Sequence, residues 1–87
     1  MYHVIISPTA SEQLRKLPTN EGDRIRRGLR VLSADPTTPR SGADILLLHG
    51  EIRWKYRLPI GAFRIVYAVE GESVHVYEVF RRGRGYR

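Results

Sequence analysis

The sequence predicts an α+β fold: two N-terminal helices packed on one face of a small, mainly antiparallel sheet, in the order strand, helix, helix, then four strands. Three observations predict it. Apolar residues recur with helical spacing twice in the first half, they alternate with period two in the second half, and Gly-containing turn signals separate the alternating runs. With 87 residues there is room for a single domain spanning 1–87, so one layer of helix must cover one layer of sheet.

The elements follow in order. Tyr2 to Ile6 is a short strand. Ser7-Pro8 then reads as an N-cap followed by proline at the first helical position. Ala10, Leu14 and Leu17 form one apolar stripe, and Pro18 ends that helix. A second helix beginning near Thr19 or Asn20 places Ile25, Leu29 and Leu32 on one face and stops at Asp35-Pro36. Arg24, Arg26, Arg27 and Arg30 decorate it and read as a solvated side. Residues 33–42 are rich in Ser, Thr, Pro and Gly and form a connecting loop. Strands are predicted at Asp44–Leu48, Glu51–Leu58, Phe63–Val69 and Ser73–Phe80, with turns at His49-Gly50, Pro59–Ala62 and Glu70–Glu72.

Composition narrows the function classes. There is no cysteine, which excludes disulfides, thiolate metal sites and thiol nucleophiles, and the three histidines are scattered, so no metal site and no cofactor is implied. No apolar run approaches the roughly 20 residues of a membrane-spanning helix. MYHVIISPTASEQL lacks the features of a secretory signal, and the protein is expected to be cytoplasmic. Residues 1–52 hold seven Lys/Arg against six Asp/Glu, whereas residues 53–87 hold eight against three. A basic excess confined to one segment fits a polyanionic ligand such as nucleic acid.

Pairing the strands shows which side chains meet. A four-residue loop at Pro59–Ala62 pairs Leu58 with Phe63, Arg57 with Arg64, Tyr56 with Ile65, Lys55 with Val66 and Trp54 with Tyr67. One face then holds Ile52, Trp54, Tyr56, Leu58, Phe63, Ile65, Tyr67 and Val69 and forms the core. The other collects Arg53, Lys55, Arg57 and Arg64. Arg57 beside Arg64 is a like-charge pair that calls for an anion. A turn at Glu70-Gly71 brings Tyr77 opposite Arg64 and His75 beside Val66, with Val74 and Val76 in the core. Glu78 then falls on the core side, so it lies at the sheet's end or a bulge intervenes. In the tail, FRRGRGYR, Arg81, Arg82, Arg84 and Arg87 surround Tyr86: arginine offers bidentate phosphate contacts, and tyrosine can stack on a base or handle a proton.

These residues carry a resemblance. The opening strand, the S-P-x-A helix start, the D-P loop after the second helix, GAFRIVYAV following WKYRL, and the basic tail with its tyrosine resemble the RelE/ParE family of toxins from type II toxin–antitoxin pairs. The resemblance spans nearly the whole chain. For RelE-like members it implies a metal-independent endoribonuclease that cleaves mRNA in the ribosomal A site. The 2′-OH attacks the adjacent phosphate, leaving a cyclic phosphate and a free 5′-OH. It also implies a cognate RelB-like antitoxin, helical and acidic, that covers the helices and the sheet edge; ribosome and mRNA are the other partners, with no membrane and no small-molecule cofactor.

Matched by position, the resemblance assigns catalytic roles to Lys55, Arg57, Arg64, Arg82 and Tyr86, with Arg81 as the alternative to Arg82, and RNA binding to Arg53, Arg81 and Arg84. Arginine stays protonated, so Arg57, Arg64 and Arg82 can only hold and neutralise phosphate. Lys55 and Tyr86 can exchange protons, and the sequence does not divide acid from base between them. Asp44, His49 and Glu51 read as loop and strand-end groups. Two other functions stay open: a ParE-type inhibitor of DNA gyrase that cuts no RNA, and a nucleic-acid-binding module without chemistry.

Overall fold

The computed structural model describes residues 1–48 and 55–83. Its elements are strand β1 (His3–Ile6), helices α1 (Pro8–Arg15) and α2 (Thr19–Ala34), and strands β2 (Leu46–Leu48), β3 (Lys55–Ile60), β4 (Phe63–Glu70) and β5 (Ser73–Arg81). They form a five-stranded sheet in the order β1-β5-β4-β3-β2, with β1 parallel to β5 and all other neighbours antiparallel. The expected α+β arrangement is the observed one.

Local chemistry starts α1. Ser7 Oγ accepts from the Ala10 N–H at 3.0 Å, and Pro8 fills the first turn. The same hydroxyl donates to Tyr77 O at 3.0 Å, the Ser7 N–H to Val76 O at 2.9 Å, and the Val79 N–H donates to Gln13 Oε1 at 2.6 Å. Since β1 accompanies β5 only as far as the Ile6–Val76 pair, the start of α1 satisfies the backbone of β5 where β1 has ended. Helix α2 buries Ile25, Leu29 and Leu32. It approaches β3 closely at Gly28, where a Cβ would sit 2.5 Å from Ile60 Cδ1.

The core lies between these helices and one sheet face: Ala10 and Leu14, the three α2 residues, then Leu58, Phe63, Ile65, Tyr67, Val74, Val76 and Val79. Tyr67 is fully buried; its ring stacks on Tyr56 at 5.5 Å between centroids, and its hydroxyl donates to Pro36 O at 2.7 Å. That bond ties the loop after α2 to the sheet. Burial, reinforced by the Tyr56 phenol, pushes the Tyr67 hydroxyl well above the usual tyrosine range.

The strand register differs from the expected one. Ile60 pairs with Phe63 across a two-residue Gly61-Ala62 turn in place of a four-residue loop. Gly61 has φ 58°, the positive value that a type II′ hairpin needs at its first central position. Pro59 and Ile60 therefore finish β3. Proline is tolerated because β2 pairs with β3 only up to Arg57. The shift is an even number of residues, so every side chain keeps its face while changing its partner. Arg57 lies opposite Val66, Arg64 opposite Pro59, and the like-charge Arg57–Arg64 pair does not form.

The β4–β5 turn is Gly71-Glu72, with Glu70 paired to Ser73 and Gly71 at φ 61°. Farther along, Tyr67 pairs with Val76 but Val66 pairs with Glu78, leaving Tyr77 as the extra residue of a β-bulge. His75 accordingly faces Ala68, and Phe80 instead of Tyr77 faces Arg64. The bulge inverts the alternation, so Val76 and Val79 both reach the core while Glu78 turns to the open face.

Candidate functional site

The face of the sheet away from the helices collects most of the expected residues. Register arranges it in rows. Leu48, Lys55, Ala68, His75 and Ile5 form one row across five strands; Leu46, Arg57, Val66 and Glu78 form the next; Pro59, Arg64 and Phe80 form the third. Neighbours within a row are about 4.8 Å apart, and successive rows about 7 Å. Val66 and Ala68, each 3% exposed, make an apolar floor between the charged groups.

Each cation is positioned by a contact or by its place in the strand register. Lys55 Nζ stands over the Tyr77 ring, 5.5 Å from its centroid, reaching across β4 to the bulge. Arg64 Nη1 donates to the carbonyls of Gly61 at 3.2 Å and Phe63 at 2.9 Å. Both hydrogens of that nitrogen serve the turn, and the opposite Nε–Nη2 edge is the fork that matches two phosphate oxygens. Arg57 stands in the Glu78 row, two strand spacings away across Val66. The Arg82 N–H donates to Ala62 O at 2.7 Å, fastening the end of β5 beside the β3–β4 turn and bringing Arg82 to the same end of the sheet as Arg64.

Arg81 goes the other way. Its guanidinium lies over the Phe63 ring at 4.6 Å and 3.4 Å from Glu21 Oε1 of α2, on the helix side of the sheet. Asp44 is an exposed residue ahead of β2. His49, Glu51, Arg53, Trp54, Arg84 and Tyr86 lie outside the described residues.

Two groups join the face that sequence reasoning did not select as site residues, Glu78 and His75. His75 Nε2 is 3.7 Å from Glu70 Oε1. Glu78 is half-buried and is the carboxylate in the Arg57 row. The signal that finds it is the spacing of apolar residues on β5, Val74, Val76 and then Val79. A step of two followed by a step of three marks an inserted residue, and the insertion moves Glu78 to the open face.

Chemically, this face presents Lys55, Arg57 and Arg64 around an apolar floor, with a carboxylate and an imidazole in the same rows and the Tyr77 phenol at the bulge between them. Such an arrangement can neutralise a phosphate group and place proton donors and acceptors beside it.

Comparison with known proteins bears on the family and the fold. The family model for the ParE toxin of the parDE type II toxin–antitoxin system matches residues 4–86. No curated protein matches the chain. Among solved structures, the archaeal RelE–RelB complex of Pyrococcus horikoshii is similar at TM-score 0.80 and 26% identity, covering 97% of this chain and 98% of that one. The isolated E. coli RelE toxin aligns at TM-score 0.76 and 21% identity, covering 99% and 89%. The RelB–RelE complex of Methanococcus jannaschii aligns at 0.71 and 20%, covering 90% of each chain.

Proposed function

This chain belongs to the ParE toxin family of type II toxin–antitoxin systems and has the RelE fold, and from that premise we propose that it is a ribosome-dependent mRNA endonuclease. The observation that carries the reading is the convergence of Lys55, Arg57 and Arg64 on one open sheet face with proton-exchanging groups in the same rows. In this reading the 2′-oxygen attacks the neighbouring phosphorus as a base takes its proton. The bond from phosphorus to the 5′-oxygen breaks, an acid protonates the leaving oxygen, and a 2′,3′-cyclic phosphate and a 5′-OH result.

Arg57, Arg64 and Arg82 hold the phosphate and neutralise the charge that grows on its oxygens. Lys55 and Tyr86 exchange the protons, with Glu78 a further group able to accept one. Arg53 and Arg84 extend the RNA contact, whereas Arg81, expected to join them, is held on the helix side by Phe63 and Glu21 and takes no part in it. The reaction needs no metal in this scheme, because arginine cations perform the charge neutralisation.

The proposed partner is a cognate RelB-like antitoxin, as in the P. horikoshii and M. jannaschii complexes. A groove of about 500 Å³ beside the β1 edge suits an acidic, apolar segment: Tyr2, Val4, Ile6, Leu14 and Leu29 line it and Arg26 and Arg30 flank it. Among the described residues no helix is long and apolar enough to cross a membrane.

A second reading is inhibition of DNA gyrase by protein contact, and the observation favouring it is the ParE identity of the matching family model. Primer extension on mRNA held in programmed ribosomes separates the two. The nuclease reading expects discrete A-site cuts that vanish with Arg64→Ala. Folded protein that arrests growth yet leaves the message intact would sink it in favour of gyrase.

A further inference from the structure

Helix α2 carries four exposed arginines, and the structure divides them between two flanks. Arg26 and Arg30 line the groove beside β1, and Arg26 Nη1 is 3.8 Å from Asp23 Oδ1. The other flank faces β3, as the Gly28–Ile60 approach shows. There the Arg24 guanidinium lies directly over Gly61, so close that a Cβ on Gly61 would sit 2.8 Å from its Cζ and Nη1. Arg64 reaches the same glycine from the strand side, through its 3.2 Å bond to Gly61 O. Two guanidinium groups from opposite layers thus converge on one turn residue. Arg27, three positions along α2, continues the line.

Among the described residues, no carboxylate pairs with Arg24 or Arg27; the acidic groups of the first turns of α2, Glu21 and Asp23, go to Arg81 and Arg26. Arg24 and Arg27 stand at i and i+3, a like-charge spacing that weakens an isolated helix and that a bound polyanion would relieve.

We propose that Arg24 and Arg27 carry the basic face round the β3–β4 turn and bind RNA backbone phosphates beyond the reacting one. This rests on the nuclease reading. Gly61 is then a shared support: a side chain there would displace the Arg24 guanidinium from its place over the turn, and the Gly61 carbonyl orients Arg64. The bound phosphates belong either to the flanking message or to ribosomal RNA, which share one chemistry.

The test measures binding over a salt series to a 12-nucleotide single-stranded RNA and, separately, to programmed ribosomes. It compares wild type, Arg24→Gln/Arg27→Gln, Arg27→Gln alone, which leaves the Gly61 contact intact, and Arg26→Gln/Arg30→Gln, which removes equal charge from the other flank. The expected result for the first double variant is a log–log salt slope shallower by about 1.4, or about 0.7 per lost contact on single-stranded RNA. Arg27→Gln should lose about half of that, and the control double should keep the wild-type slope. A change on the oligonucleotide assigns the contact to message, and a change on ribosomes alone assigns it to ribosomal RNA. Equal slopes for the two doubles on both ligands overturn the inference. If wild type still makes A-site cuts that Arg64→Ala abolishes, the nuclease reading survives that result. If wild type neither binds nor cuts, both fall.

Discussion

Replacing Tyr67 by Phe removes one oxygen and tests how the sheet is tied to the loop after α2. The hydroxyl is the donor to Pro36 O at 2.7 Å, and both residues are buried. Losing it leaves a desolvated carbonyl without that donor, a cost of about 1–3 kcal/mol. At the middle of that range, 2 kcal/mol in a chain of this length lowers Tm by about 8–16 °C. The same group gives a pH signature. Its folded-state pKa lies above the ordinary 10.0, so below pH 10 the phenol is protonated in both states and its contribution is fully present. Above pH 10 the unfolded chain ionises while the folded one does not, and stability falls by about 1.4 kcal/mol per pH unit on this account. Urea unfolding of wild type and Tyr67→Phe from pH 7 to 11 should therefore show a gap that is widest below pH 10 and narrows above it. A gap under about 0.5 kcal/mol at pH 7, or one that widens with alkali, would refute the reasoning.

Other outcomes follow from the turns and the open face. Gly61→Ala and Gly71→Ala both force a side chain into positive φ, at about 1–2 kcal/mol each. Only at Gly61 must an arginine also move, so Gly61→Ala should reduce RNA binding where Gly71→Ala does not, a difference read by denaturation and binding on the same samples. Glu78→Gln keeps the shape of the Arg57 row and removes its carboxylate. If Glu78 accepts a proton in the reaction, single-turnover cleavage on ribosomes should slow by 10²-fold or more with little change in toxin binding. An unchanged rate would leave that work to Lys55 and Tyr86.

The legibility of the fold had a physical basis, and so did its limits. Ser7-Pro8 announces α1 because capping and proline geometry are local, and Ala10 and Leu14 mark its buried face because helical spacing is local as well. The faces of β3 and β4 were equally readable: alternation assigns Lys55, Arg57 and Arg64 to one side and Tyr56, Leu58 and Tyr67 to the other whichever even register the turn selects. The partners were not readable. They depend on whether Pro59 and Ile60 belong to loop or strand, which Gly61 decides by adopting positive φ in a two-residue turn.

Tertiary structure alone decided the remainder of the candidate site. The bulge at Tyr77 arises where β5 must follow β1, α1 and β4 at once, and it turns Glu78 outward. Arg81 and Arg82 are adjacent in sequence and chemically identical. One is drawn to Phe63 and Glu21 on the helix side, and the other is fastened by its backbone beside the β3–β4 turn. The meeting of Arg24 with Gly61 joins residues 37 positions apart. By itself the sequence determined composition, periodicity and the sign of each face, because these are set by residues a few positions apart. Cross-strand partners, the outward turn of Glu78 and the basic path round the turn come from distant segments packing together, and no local pattern encodes which of them will touch.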